Sequence, residues 1–150
     1  GVYRHIEWPV VVMLGAMIPI GGALTTSGLT VNVAEFLSTS FSGANVMWLL
    51  LIILVFTMFI SDLVNNAATA VIMAPLSVSV ATQLNQPIEP FLMVVAVGAS
   101  CAFLSPIGHQ CNTLVMGPGN YRFGDYWRLG LPLEILIVVI SIPVIMITWF

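Results

Sequence analysis

Lysine is absent from this 150-residue chain, and charge of either sign is scarce: three arginines and six acidic residues, 6% of the whole. A soluble globular domain carries about 25% charged residues, so a surface this poor in charge excludes that class. No basic patch remains for nucleic acid. Cysteine is limited to Cys101 and Cys111. With no CxxC and no secretory framework, small buried thiols are the expectation rather than a disulfide. HExxH and the Gly-x-Ser-x-Gly elbow are both missing, which removes two common hydrolase signatures. What is plentiful is apolar: 59% hydrophobic residues and a mean hydropathy of +1.09. The fold class is therefore an all-α membrane protein. The chain opens at Gly1 with no cleavable signal, and it reads as one piece of a larger membrane protein.

Spans are expected over about 8–25 and 127–149, since about 20 apolar residues cross a bilayer. Between them, 30–41 is short and amphipathic, setting Val31, Val33, Phe36 and Leu37 against Asn32, Glu35 and Ser38. That pattern suits a helix lying along the interface. Two apolar arms follow, about 46–63 and 68–84, the first with Trp48 as an interfacial anchor. A further apolar run, 90–104, stops and resumes briefly over 112–117. Residues 1–150 thus form one transmembrane domain.

The arginines orient this scheme. Placing Arg4 and His5 in the cytoplasm puts Glu35 and the Gln86–Glu89 turn outside and returns Arg122 and Arg128 to the cytoplasm. The C-terminus then ends outside. Full spans and a re-entrant hairpin give the same parity for the middle arms. The tip between them, short, amide-bearing and free of interfacial aromatics, favours re-entrance.

Two polar, helix-breaking islands lie inside this apolar sequence. One is Asp62-Leu63-Val64-Asn65-Asn66-Ala67, the other Ser105-Pro106-Ile107-Gly108-His109-Gln110-Cys111-Asn112-Thr113. Backbone that leaves the helix at membrane depth is tolerated only when buried in protein or lining a cavity, and paired interruptions point to a transporter's binding site. Amides suit such a site: the carbonyl coordinates a hard cation and the NH2 donates to an anion, without the desolvation cost of a formal charge. Half-helices beginning after Asn66 or at Asn112 would aim N–H groups at an anion. Asn65, Asn66, Gln110 and Asn112, with the Ser105 and Thr113 hydroxyls, read as a mixed anion-and-cation site. For Asn65-Asn66 a solvated turn is an equal reading. Asp62 is a proton or cation site, or an interfacial carboxylate if the arms span fully. His109 either titrates or binds substrate, or it holds the break by a hydrogen bond.

At these islands the chain resembles the divalent anion/sodium symporter family, the citrate-transporter-like anion permeases. The resemblance runs through Ile6-Glu7-Trp8-Pro9-Val10 with Gly21-Gly22-Ala23-Leu24 and Gly28, then Asn65-Asn66-Ala67-Ala68-Thr69-Ala70 with Pro75. It continues through the second island to Leu114-Val115, and from Gly117-Pro118-Gly119-Asn120-Tyr121-Arg122-Phe123-Gly124-Asp125-Tyr126 to Arg128-Leu129-Gly130-Leu131-Pro132. It implies the second of two inverted repeats of an ion-transporter fold, with a re-entrant helical hairpin and a discontinuous transmembrane helix. The expected partners are the N-terminal repeat, a second protomer, the bilayer, sodium and a small inorganic or carboxylate anion. No cofactor beyond sodium is implied, and the protein would sit in the cell membrane.

By the same resemblance Asn66, Ala67, Asn112 and Thr113 would contact the anion. Asn65, Asn66, Ser105, Gly108, His109, Gln110 and Asn112 would frame sodium, largely through backbone carbonyls. Two departures stand out. Asn65-Asn66-Ala67 replaces the Ser-Asn-Thr of carboxylate carriers, and Gln110-Cys111-Asn112 replaces their Pro-Pro-Asn. The Gly-His-Gln-x-Asn form is similar to permeases with inserted regulatory domains, some of which carry sulfate. The expected function is sodium-coupled transport of sulfate or a di- or tricarboxylate by an elevator motion. A sodium/proton or arsenite-type exchanger remains open, as does, more remotely, an intramembrane hydrolase using Ser105 or Ser100 with His109.

Overall fold

Apolar runs punctuated by glycine, proline and asparagine become seven α-helices in the computed structural model, which describes residues 8–41, 43 and 45–150. They are α1 (Trp8–Thr26), α2 (Leu29–Ser40), α3 (Val46–Leu63), α4 (Asn66–Gln83), α5 (Ile88–Ser100), α6 (Gln110–Met116) and α7 (Tyr126–Trp149), with a 3-10 turn at Phe123–Asp125 before the last. Arg4 and His5, on which part of the orientation argument rests, lie outside the described residues, as do Ile6 and Glu7 of the family resemblance and Ser42 and Ala44.

Each helix end has a local cause. Gly28 takes a left-handed φ of 74° between α1 and α2. Asn65 caps α4 by accepting the Ala68 N–H at 2.8 Å, so α4 begins at Asn66, two residues before the expected arm. Asn85 adopts φ 51° after α4, and the Gln86 N–H closes onto Ala81 O at 2.9 Å. Pro87 then caps α5, with Glu89 in its first turn where the dipole favours an acid.

α5 packs between α3 and α4, α4 is flanked by α1 and α2, and α7 lies against α3 and α5. Leu50, Ile53, Leu54 and Met58 of α3 meet Met73 and Val80 of α4 and Phe91, Val94 and Val95 of α5, joined by Ile142 and Ile145 of α7. Buried hydroxyls turn back onto their own helices, Thr57 to Ile53 O at 2.6 Å and Ser77 to Ala74 O at 2.9 Å, which satisfies them without a partner helix. On α2 the packed stripe is Thr30, Ala34 and Leu37, whereas Val31 and Phe36 are exposed.

Two of the described helices are long and apolar enough to cross a membrane: α3, and the stretch Phe123–Trp149 that contains α7. At 24 residues, α7 is about 36 Å long at the helical rise. Its outer face leaves Leu129, Leu136, Ile140 and Ile147 exposed, a surface suited to hydrocarbon rather than water.

Candidate functional site

The first island begins where α3 runs out at Leu63, and Val64 and Asn65 turn the chain into α4. Asn65 O accepts both the Thr69 N–H at 3.0 Å and the Thr69 hydroxyl at 2.7 Å. With its side-chain oxygen already on Ala68, Asn65 is the anchor of the tip. The Asn66 and Ala67 amides precede the first intrahelical bond of α4, an 18-residue helix whose positive dipole end they carry. Both residues are half-buried.

Ser61 completes the tip. Its hydroxyl oxygen lies 2.9 Å from Asn66 Oδ1 and 2.9 Å from Ala99 O, and it has one proton to give. If the proton goes to Ala99 O, the Asn66 amide turns its NH2 onto Ser61 and presents its carbonyl outward. If it goes to Asn66, the NH2 faces outward instead. One side chain can therefore offer its surroundings either a cation ligand or an anion donor.

The second island starts earlier than the sequence suggests. α5 ends at Ser100, not 104, because tertiary partners take over its ladder. A continuing helix would pair Phe103 N–H with Ala99 O and Leu104 N–H with Ser100 O. Instead Ala99 O accepts from Ser61, the Leu104 N–H goes to Asp62 Oδ1 at 3.0 Å, and the Phe103 N–H interacts with the Glu134 carboxyl. The irregular segment 101–109 then stitches itself together. Asn112 Nδ2 donates to Ala102 O at 2.6 Å and to Ser105 O at 3.1 Å, and the Thr113 hydroxyl donates to Pro106 O at 2.6 Å.

Contact between the islands is direct. The Ser105 hydroxyl donates to Asp62 O at 2.7 Å and accepts the Gly108 N–H at 3.2 Å. A Cβ at Gly108 would stand 2.9 Å from Ser61 O and 3.1 Å from Asp62 Cα, so only glycine lets the break lie this close against the end of α3. On the other side, a Cβ at Gly130 would collide with Phe103 O, and α7 seals the break from behind.

Asn66, Ala67 and Asn65 thus sit at the tip, with Asp62, Ser105 and Gly108 at its junction with the break. Asn112, half-buried, and Thr113, exposed, spend their side chains on the carbonyls of the break as stitches rather than as ligands. His109, Gln110 and Cys111 are exposed; His109 Nδ1 accepts the Cys111 N–H at 3.1 Å and caps α6. Cys111 is therefore not the buried thiol expected, although Cys101 is. The seven-residue α6 adds little dipole beside α4. The Ser105 and Ser100 hydroxyls are tied to backbone, the latter to Ala96 O at 2.7 Å, and His109 turns Nδ1 to its own cap.

Three participants escaped the sequence reading. Ser61 had no local signal. Glu134 did have one, an acidic residue inside a 24-residue apolar helix, which is functional by default. Tyr126 donates to Asn112 O at 2.7 Å, and only the fold brings it there. With Phe103 and Asn112 it lines an apolar cavity of about 320 Å³.

The α3–α4 turn and the irregular 101–109 segment, folded against each other, are joined by a sequence match to the citrate transporter family over residues 1–150. This chain belongs to that family. Transport, rather than enzymatic turnover, is the role its relatives carry, and the resemblance to divalent anion/sodium symporters holds. Among relatives of this citrate transporter family member, the uncharacterized transporter sll0640 of Synechocystis sp. is 36% identical over 148 residues, covering 99% of this chain and 24% of the relative. The sodium-dependent dicarboxylate transporter SdcS of Staphylococcus saprophyticus is 25% identical over 146 residues, 96% of this chain and 28% of the relative. Sodium/sulfate cotransporter 2 of Chlamydomonas reinhardtii is 26% identical over 143 residues, 92% of this chain and 16% of the relative. The chain spans about a quarter of the length of these relatives or less, and as a family member it is a membrane protein.

Proposed function

We propose that this chain is the second inverted repeat of a secondary active transporter that moves a divalent anion, sulfate or a di- or tricarboxylate, together with sodium. α3 and α4 act as a re-entrant hairpin, and α5, the 101–109 break and α6 as one discontinuous transmembrane helix. α1 and α7 cross the bilayer and α2 lies along its surface, leaving the C-terminus outside in the cell membrane. The observation that carries this reading is the junction at Asp62, whose carboxylate and carbonyl hold Leu104 and Ser105 and so bind tip to break. An anion would meet the amide end of α4 at Asn66 and Ala67. Sodium would use Asn66 Oδ1, turned outward when the Ser61 hydroxyl donates to Ala99 O instead, and remaining lone pairs of the break, where a carbonyl that accepts one N–H can still face a cation.

Asn112 and Thr113 serve this site by shaping the break, and His109 and Gln110 border it. The first repeat supplies the facing half, the intact protein works as a homodimer, and the tip-and-break body moves as a unit past the rest in an elevator motion. Named sodium dependence among relatives supports the coupling ion; their dicarboxylate and sulfate cargoes bracket the substrate. Buried Asp62 favours a second reading, a proton-driven exchanger of the same superfamily.

Uptake of radiolabelled sulfate, phosphate, succinate and citrate by the intact protein, with and without sodium, tests the proposal. One divalent anion entering only with sodium is the expected result. Uptake indifferent to sodium and driven by a proton gradient would select the exchanger.

A further inference from the structure

Asp62, at the end of α3, and Glu134, inside α7, are 4% and 8% exposed, and their carboxyl groups act on each other electrostatically across the break. Each already serves broken backbone as an acceptor: Asp62 Oδ1 for Leu104 N–H at 3.0 Å, Glu134 for Phe103 N–H. Their other oxygens, Asp62 Oδ2 and Glu134 Oε1, are buried with no hydrogen-bond donor. Cys101, at the end of α5, is the titratable neighbour of both. Among the described residues no basic side chain acts on either carboxyl, and the chain has no lysine.

The surroundings deepen the imbalance. Glu134 lines an apolar cavity of about 310 Å³ with Val55, Met58, Phe59 and Leu104. α3 and α5 both terminate here, at Leu63 and Ser100, bringing the negative ends of their dipoles and freed carbonyls. Two neighbouring carboxylates in a low dielectric repel strongly unless a cation or a shared proton stands between them.

We infer that Asp62 Oδ2 and Glu134 Oε1 hold one monovalent metal cation of the sodium class between them, clamping α3, the break and α7 together. Hard oxygen ligands suit an alkali ion. The inference rests on the sodium-coupled reading above and places an ion apart from the Asn66 amide.

Thermal unfolding of the intact purified protein in detergent, at fixed pH and ionic strength, in sodium chloride against choline chloride, tests it. Sodium should raise the midpoint, with Glu134→Gln and Asp62→Asn each removing the same part of the rise. Asn66→Ala should remove the remainder. A sodium-dependent rise undiminished in both carboxyl variants would overturn the inference while leaving the amide site standing. A midpoint that climbs on acidification in choline and ignores sodium would place a proton between the oxygens, and would overturn it too. Loss of the carboxyl-dependent rise in a protein whose uptake ignores sodium would instead sink the coupled-transport reading alone.

Discussion

Asp62 and Leu104, 42 residues apart, are joined by a 3.0 Å hydrogen bond from the Leu104 amide to Asp62 Oδ1. That bond replaces a rung of the α5 ladder with a side chain from the hairpin. It makes the helix break a product of tertiary structure as much as of Pro106 and Gly108. Asp62→Ala should therefore lower stability by about 1–3 kcal/mol, the cost of leaving a buried amide without its partner. Asp62→Asn, which keeps an acceptor, should lose less. Thermal or chemical denaturation of the intact protein in detergent reads the difference.

Gly108 and Gly22 make a matched pair. A methyl at Gly108 meets Ser61 O and Asp62 Cα within about van der Waals limits or closer, whereas a Cβ at Gly22 meets nothing within 4 Å. Gly108→Ala should destabilise by about 1–3 kcal/mol through overpacking and reduce uptake sharply. Gly22→Ala should leave both near wild type. Similar uptake in the two variants would remove the argument that the break must lie flat against α3.

Ser61, fully buried, fixes the Asn66 amide. Ser61→Ala should leave the protein inserted but free the amide to rotate, raising the KM for the anion several-fold more than it lowers the maximal rate. Initial-rate uptake over a range of anion and sodium concentrations checks this. An unchanged KM would mean that Asn66 is positioned by something else.

Thiol chemistry reports on the second island. Cys111 is exposed beside the Asn112 stitch and Cys101 is buried. A maleimide should label Cys111 far faster than Cys101, and sodium with the transported anion should slow that labelling as the site closes. Peptide mass spectrometry after timed labelling distinguishes the two positions.

Much of this arrangement was legible residue by residue. Asn65-Asn66 marks where one helix gives way to the next, although the cap that Asn65 makes for α4, two residues ahead of the expected arm, shows only in the fold. Pro106 and Gly108 mark a segment that cannot stay helical. The all-helical class follows from long apolar runs and scarce charge. Other features lie beyond local pattern. α5 stops at Ser100 because Ser61, Asp62 and Glu134 arrive from distant sequence to claim its hydrogen-bonding groups. The packed stripe of α2 runs through Thr30 and Ala34, small residues that admit close approach to α4, although Val31 and Phe36 carry the greater hydrophobicity. Asn112 looked outward-facing on chemistry alone, yet two break carbonyls capture its NH2.

The central claim is that the Asn66 tip and the 101–109 break form a sodium-coupled anion site. The most direct test is labelled-anion uptake into proteoliposomes by the intact protein and its Asn66→Ala variant, under separately imposed sodium and proton gradients. The account predicts that wild type concentrates the anion only under an inward sodium gradient, and that Asn66→Ala, though folded and inserted, transports none. Wild-type uptake driven by the proton gradient alone, or undiminished uptake by Asn66→Ala, would contradict it.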